Sequence, residues 1–100
     1  MLTSDECARR YRTLESQRRT MGSNMAPWDA VAPVEAEMRD LFRLRAIAFS
    51  AENNGAMLAV SIDEMRELLF AFDNQQAPPA RLRNAYDQMA PYMGHAPKLL

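Results

Sequence analysis

The segment at 33–52 carries apolar residues around most of a helix's circumference. At about 100° per residue, these residues form an arc much wider than the apolar stripe of an ordinary surface helix. The arc contains Val34, Met38, Leu41, Phe42, Leu44, Ile47, Ala48, Phe49 and Ala51. The opposite, polar side contains Glu35, Arg39, Arg43 and Ser50. We therefore expect this helix to be covered from several directions, by the flanking helices of a small bundle or by a second copy of the chain.

A helix start signal stands close to the amino terminus. Thr3 and Glu6 have the spacing of a capping box, in which each residue bonds the other's backbone N–H. This pattern predicts a first helix over 4–21, with Gly22 as a left-handed stop. Leu2 is then placed to pack against Cys7 across the start of the helix.

A connection with two prolines precedes the long apolar segment. Pro33 suits the first turn of a second helix, because a proline's missing N–H is unpaired there in any case. Residues 23–32 are then a connection with a short turn around Trp28. In this connection Trp28 either covers the end of the bundle or anchors an interface.

Two further helices are predicted in the second half of the chain. Ser61 and Glu64 form another capping box, which starts a helix at 62–73. A fourth helix is expected at 80–90, after two consecutive prolines. The short apolar run at 56–60 has no partner strand in the sequence, so we expect helix or extended coil there.

These elements together predict an all-α fold, a compact bundle of about four helices that is able to form a homodimer. We expect one helical domain over 1–90 and a mobile tail over 91–100, unless Tyr92, Met93 or Leu99 docks onto it.

Charge is unevenly distributed although the net charge is only −1. Residues 1–22 carry five arginines against three acids, residues 23–77 nine acids against four arginines, and residues 78–100 three bases against one acid. The basic ends either neutralise the acidic middle by helix packing, or the middle offers an acidic surface to a basic partner. The start of the chain lacks a secretory signal and Cys7 has no disulfide partner, so we expect a cytoplasmic location.

Few residues in this chain are suited to catalysis. His95 is the sole histidine and has no evident nucleophile or base beside it. Cys7 is either a reactive thiol, favoured by the helix N-terminus, or a buried one. The methionines are typical core fillers rather than metal ligands. We therefore expect no enzyme activity, no cofactor and no metal site.

The residues best suited to binding lie on the third helix. Phe70 falls about 140° from the centre of that helix's apolar face, near Asp63, Arg66 and Glu67. An aromatic residue ringed by charges resembles an interface hot spot. Trp28 is the second candidate anchor. An alternative binding site, for nucleic acid, would use Arg9, Arg12 and Arg19, which share a broad side of the first helix.

Two more arginines occupy apolar positions, where an unpaired charge would be costly. Arg18 and Arg45 are expected to pair with Glu15, Glu37 or Glu52, or to mark a polar seam between molecules.

The sequence as a whole favours a protein-binding role. We expect a small inhibitor or adaptor that blocks a basic surface on a partner protein, such as a surface that handles nucleic acid. In size and composition the chain is similar to phage-encoded inhibitors of bacterial defence, including anti-CRISPR proteins. A bacterial antiactivator is another role of the kind that we expect. The alternative is a nucleic-acid-associated regulator that uses the arginine-rich first helix.

Overall fold

The computed structural model describes residues 1–95, and within them it confirms the all-α fold. About 78% of these residues are helical, counting four α-helices and two short 3₁₀ turns, and none lies in a strand. The helices are α1 (Ser4–Ser23), α2 (Trp28–Asn53), α3 (Ile62–Asp73) and α4 (Arg83–Met89). Short 3₁₀ turns stand on either side of α4, at Ala80–Leu82 and Ala90–His95.

The core lies where α1, α3 and the C-terminal turns meet one side of α2. Fully enclosed side chains come from every α-helix: Cys7, Leu41, Leu44, Ile47, Met65, Leu68, Leu69 and Met89. Burial of such side chains is the main favourable term for a domain of this size. The long helix α2 is therefore central, as its apolar arc predicts.

Both predicted N-caps form, but only one of them is a full capping box. The Thr3 hydroxyl accepts a hydrogen bond from the Glu6 N–H at 3.1 Å, but only Ser61 and Glu64 make the full reciprocal box. The hydrogen bond from the Ser61 N–H lowers the pKa of the Glu64 carboxyl. Leu2 is buried, and its N–H bonds the carbonyl of Leu58 at 2.8 Å. The run at 56–60 is thus extended coil, and the partner that the sequence did not reveal is Leu2.

Three helices end in the same left-handed turn. At each end one residue has positive φ: Met25 (53°), Gly55 (72°) and Gln75 (54°). The next N–H bonds a carbonyl five residues back, as Ala56 does with Ala51 at 2.9 Å, which is the Schellman pattern. The prediction of Gly22 as a left-handed stop is wrong: Gly22 is helical, and α1 continues to Ser23.

The predicted start of α2 is also wrong. The helix begins at Trp28, so Pro33 lies inside it and the connection from α1 is only four residues, 24–27. A proline this close to the N-terminus deprives one carbonyl, that of Asp29, of its helical partner. Asp29 is exposed, so water can satisfy that carbonyl.

The C-terminal turns extend the packed domain beyond residue 90. The predicted fourth helix is α-helical only over Arg83–Met89, and a 3₁₀ turn follows it. Met93 is buried within that turn, which packs against α2. The docking of Met93, which the sequence left open as an alternative to a mobile tail, therefore occurs, and the packed domain includes residues beyond 90. Leu99 lies outside the described residues.

Ion pairs between helices neutralise much of the uneven charge. Arg10 and Arg18 of α1 bind Glu37 and Glu35 of α2, at 2.7 and 2.8 Å. The start of α1 is held to the end of α2, where the Ser4 N–H donates to a Glu52 carboxylate oxygen at 2.8 Å. The two helices are therefore antiparallel. The basic N-terminal segment therefore neutralises part of the acidic middle. The predicted partners of Arg18 were Glu15, Glu37 or Glu52, but Arg18 pairs with Glu35.

Two predictions about the faces of α2 are wrong. Arg43, assigned to the polar side, is only 8% exposed, and it donates two hydrogen bonds to Asp73 of α3 at 2.5 and 2.9 Å. Phe42 and Phe49, assigned to the covered arc, are 47% and 58% exposed. Arg45 is exposed beside them and forms no ion pair with a described residue. The described residues thus leave this side of α2 exposed to solvent.

None of the helices within 1–95 is both long enough and apolar enough to cross a membrane.

Candidate protein-binding site

Phe70 projects from the outer face of α3. Its side chain is 62% exposed, whereas Leu68 and Leu69 beside it are buried. The capping box at Ser61 fixes the start of α3, so the helical repeat places Asp63 nearly in line with Phe70, two turns away. Neither the C-terminal turns nor a neighbouring helix within 1–95 covers the ring.

A groove with a volume of about 790 Å³ lies against this face of α3. The left-handed turn at Gln75 reverses the chain after α3, so that the following segment forms the second wall of the groove. We call this surface the Phe70 groove. It is lined by Asp40, Asp63, Glu64, Arg66, Glu67, Phe70, Ala71, Gln76, Ala77, Pro79 and Arg81.

The groove is acidic, but its charges are partly paired. Arg66 binds Asp40 of α2 at 2.9 Å, and Arg81 binds Glu67 at 2.7 Å. The side chains of these pairs are between about a third and 60% exposed, so each pair contributes little to stability. Four carboxylates against two guanidinium groups leave a net negative charge, and Asp63 has no direct ion pair with any residue of 1–95.

Four of the five predicted protein-binding residues come together in this groove: Asp63, Arg66, Glu67 and Phe70. The fifth, Trp28, does not. It is the first residue of α2 and is 65% exposed, so it covers no end of the bundle. Asp40 and Arg81 also line the groove, which they reach from other elements, and neither residue was predicted from the sequence.

The three arginines of the nucleic-acid alternative remain on the surface of α1. Arg9, Arg12 and Arg19 are all exposed, but Arg19 is paired with Glu15 at 3.2 Å. Two arginines without an ion pair are a small footprint for a phosphate backbone, since each contact adds only modest, salt-sensitive affinity.

A second surface with exposed aromatic residues lies on α1 and α2. Phe42 lines three adjoining hollows of about 400, 280 and 210 Å³. We call this surface the Phe42 face. Its members are Ala8, Tyr11, Arg12, Arg18, Glu35, Met38, Arg39, Leu41, Phe42, Arg45, Ala46 and Phe49. The sequence contains these phenylalanines, but their pattern alone predicts burial.

The side chains that could support chemistry are dispersed or inaccessible. No group of three His, Cys, Asp or Glu residues within the described chain could hold a metal ion. Cys7 is fully buried, as its packing against Leu2 predicts. Burial raises the pKa of its thiol to about 11, and the charges of Glu6 and Glu52 add to the rise. The buried alternative for Cys7 is the one that the structure supports.

Comparison with known proteins adds no further identification: the chain matches no family model, no curated protein and no solved structure.

Proposed function

We propose that this protein acts by binding another protein through the Phe70 groove, as an inhibitor or adaptor that occupies a basic surface of its partner. The observation that carries the proposal is the exposed ring of Phe70 inside a groove of net negative charge. A large exposed aromatic residue is costly to leave in water, and such residues dominate the energy of protein interfaces.

The charges around Phe70 suit steering more than tight binding. Asp63 and Glu67 are exposed, so they can attract a basic surface at long range without a large desolvation cost. Arg66 and Arg81 are held by their own carboxylate partners, which limits their repulsion of the approaching cations. The ring then supplies apolar contact area once the surfaces meet.

This function fits several biological settings. A partner that handles nucleic acid presents a basic surface of the required kind, and a protein that occupied it would compete with the nucleic acid. An anti-defence protein of a phage, or an antiactivator, would act in this way. We place that action in the cytoplasm, where the single cysteine stays a thiol.

Two matched variants and the wild type test the proposal. Partners are captured from a lysate of the source organism with wild-type protein, Phe70→Ala or Phe49→Ala as bait, and the captured partner is then titrated against each of the three. The two phenylalanines are similarly exposed, at 62% and 58%, but only Phe70 lines the groove. Phe70→Ala should weaken binding by at least ~2 kcal/mol, and Phe49→Ala by less than ~0.5 kcal/mol. Equal affinities for wild type and Phe70→Ala would refute the proposed site.

Charge reversal tests the steering step separately. Asp63→Lys with Glu67→Lys should slow association at low salt, and the difference should shrink as ionic strength rises. Asp5→Lys with Asp29→Lys makes the same change of net charge outside the groove and is the control. If both double variants slow association equally, only net charge matters and the groove does not steer.

A further inference from the structure

The Phe42 face has an apolar centre that the described chain leaves uncovered. Phe42 and Phe49 lie two helical turns apart on α2, with Tyr11 of α1 and Met38 partly buried beside them. Their exposed area adjoins three hollows, so side chains of an incoming surface can insert between α1 and α2. Such a surface is typical of a contact between proteins.

The charges on the Phe42 face define what fits it. Arg12, Arg39 and Arg45 form no ion pair with any residue of 1–95, whereas Arg18 and Glu35 neutralise each other at 2.8 Å. The face therefore carries a net positive charge around an apolar centre. Its complement is an acidic surface with an exposed apolar side chain.

The Phe70 groove of the same protein has that chemistry. It presents an exposed phenylalanine among four carboxylates and two arginines. We propose that the Phe42 face binds the Phe70 groove of a second copy of the chain, so that the protein associates head to tail. This inference rests on the function proposed above, in which the groove binds a basic and partly apolar surface.

A symmetric dimer through the Phe42 face is less favourable. A two-fold axis between Phe42 and Phe49 would pass beside Arg45 and set it against its own copy. The other two unpaired arginines of each copy would also meet a net positive surface. Like charges across an interface cost free energy, whereas the head-to-tail arrangement sets these arginines against carboxylates.

The positions of the two surfaces determine the form of the assembly. Asp40, in the groove, and Phe49 are nine residues apart on α2, which places them about 180° apart around the helix. Two copies cannot close both contacts at once, so association extends with concentration. Each contact also occupies one groove, and self-association therefore competes with binding of the partner.

Mixing two blocked variants tests this arrangement by sedimentation equilibrium. Phe70→Arg places a cation in the groove, and Phe42→Glu places a carboxylate on the basic face. Each variant alone should remain an 11.4 kDa monomer, with an association constant at least ~10-fold below that of the wild type. An equimolar mixture should form a heterodimer of twice that mass and nothing larger, because one intact face and one intact groove remain. The wild type should exceed the dimer mass as concentration rises.

Several results would overturn the proposal. They are a monomeric wild type at all accessible concentrations, a mixture without heterodimer, and self-association that Phe42→Glu abolishes but Phe70→Arg leaves intact. Circular dichroism excludes unfolded variants, and Phe49→Glu replaces Phe42→Glu if the latter loses its helix signal. Binding of labelled oligothymidine that is lost in Arg39→Glu with Arg45→Glu would assign the face to nucleic acid instead. None of these results depends on capture of a partner, so this inference can fail while the proposed function holds.

Discussion

Arg43 and Asp73 form an ion pair in which the arginine is buried and the aspartate is partly exposed. Removal of Asp73 should therefore destabilise the fold much more than removal of Arg43. Arg43 is 8% exposed, and its Nε lies buried without a hydrogen-bond partner among the described residues. The hydrogen bonds from Arg43 to Asp73 raise the pKa of the guanidinium, so the group stays charged. Asp73→Ala would therefore leave a buried cation without its carboxylate.

The expected magnitude follows from burial. Breaking a fully buried pair by removing one partner costs about 3–5 kcal/mol. The side chain of Asp73 is 35% exposed, and water there reduces the cost to about 2–3 kcal/mol. Arg43→Met keeps an apolar stem in the same space and leaves a carboxylate that reaches water, at a cost of about 1 kcal/mol or less.

Urea unfolding followed by circular dichroism measures these differences. The double variant should be about as stable as Arg43→Met alone, which corresponds to a coupling energy of about 2–3 kcal/mol, the full cost of Asp73→Ala. Arg39→Met, on the same helix but without an ion pair, is the control and should lie within ~0.5 kcal/mol of wild type. Additive effects, or an Asp73→Ala variant no less stable than Arg43→Met, would refute the reasoning.

Three further predictions follow from the fold. Leu41→Ala should lower the free energy of unfolding by ~2–5 kcal/mol because Leu41 is fully enclosed, whereas Ser61→Ala should lower it by ~1 kcal/mol through loss of the helix cap. Urea melts that gave the reverse order would contradict the assigned core. At pH 8, native Cys7 should react with Ellman's reagent at least ~100-fold more slowly than in urea, because its pKa rises from 9.0 to about 11; a fast native reaction would mean an accessible thiolate. Gln75→Gly should raise the free energy of unfolding by ~1 kcal/mol, since Gln75 has positive φ, whereas Gln76→Gly should not.

Local signals in the sequence predicted much of the architecture. The caps at Thr3 and Ser61 set the starts of α1 and α3, because a side chain that bonds a nearby N–H acts over only a few residues. The helical repeat of α3 also predicted that Phe70 lies away from the apolar face, but it did not predict whether another element covers the ring. The start of α2 did not follow, since proline is favoured in the first turn of a helix, whereas Pro33 lies in the second turn of α2.

The features that depend on how helices meet could not be predicted. Arg43 lies about 100° from the centre of the buried side of α2, and only the approach of Asp73 from α3 makes its burial favourable. Phe42 and Phe49 are apolar, yet the described elements leave about half of each side chain exposed. The second wall of the Phe70 groove likewise depends on the left-handed turn at Gln75, a conformation that favours glycine and that glutamine does not signal.

The proposed function requires the Phe70 groove to be the surface that contacts the partner. Hydroxyl-radical footprinting measures this within one molecule, because oxidation of a side chain reports its exposure in the free and bound states. With captured partner and dilute protein, labelling of Phe70 should fall several-fold, while Phe49 and Trp28, exposed outside the groove, should keep their free rates. Unchanged labelling of Phe70 together with protection of Phe49 or Trp28 would show that the partner binds outside the Phe70 groove.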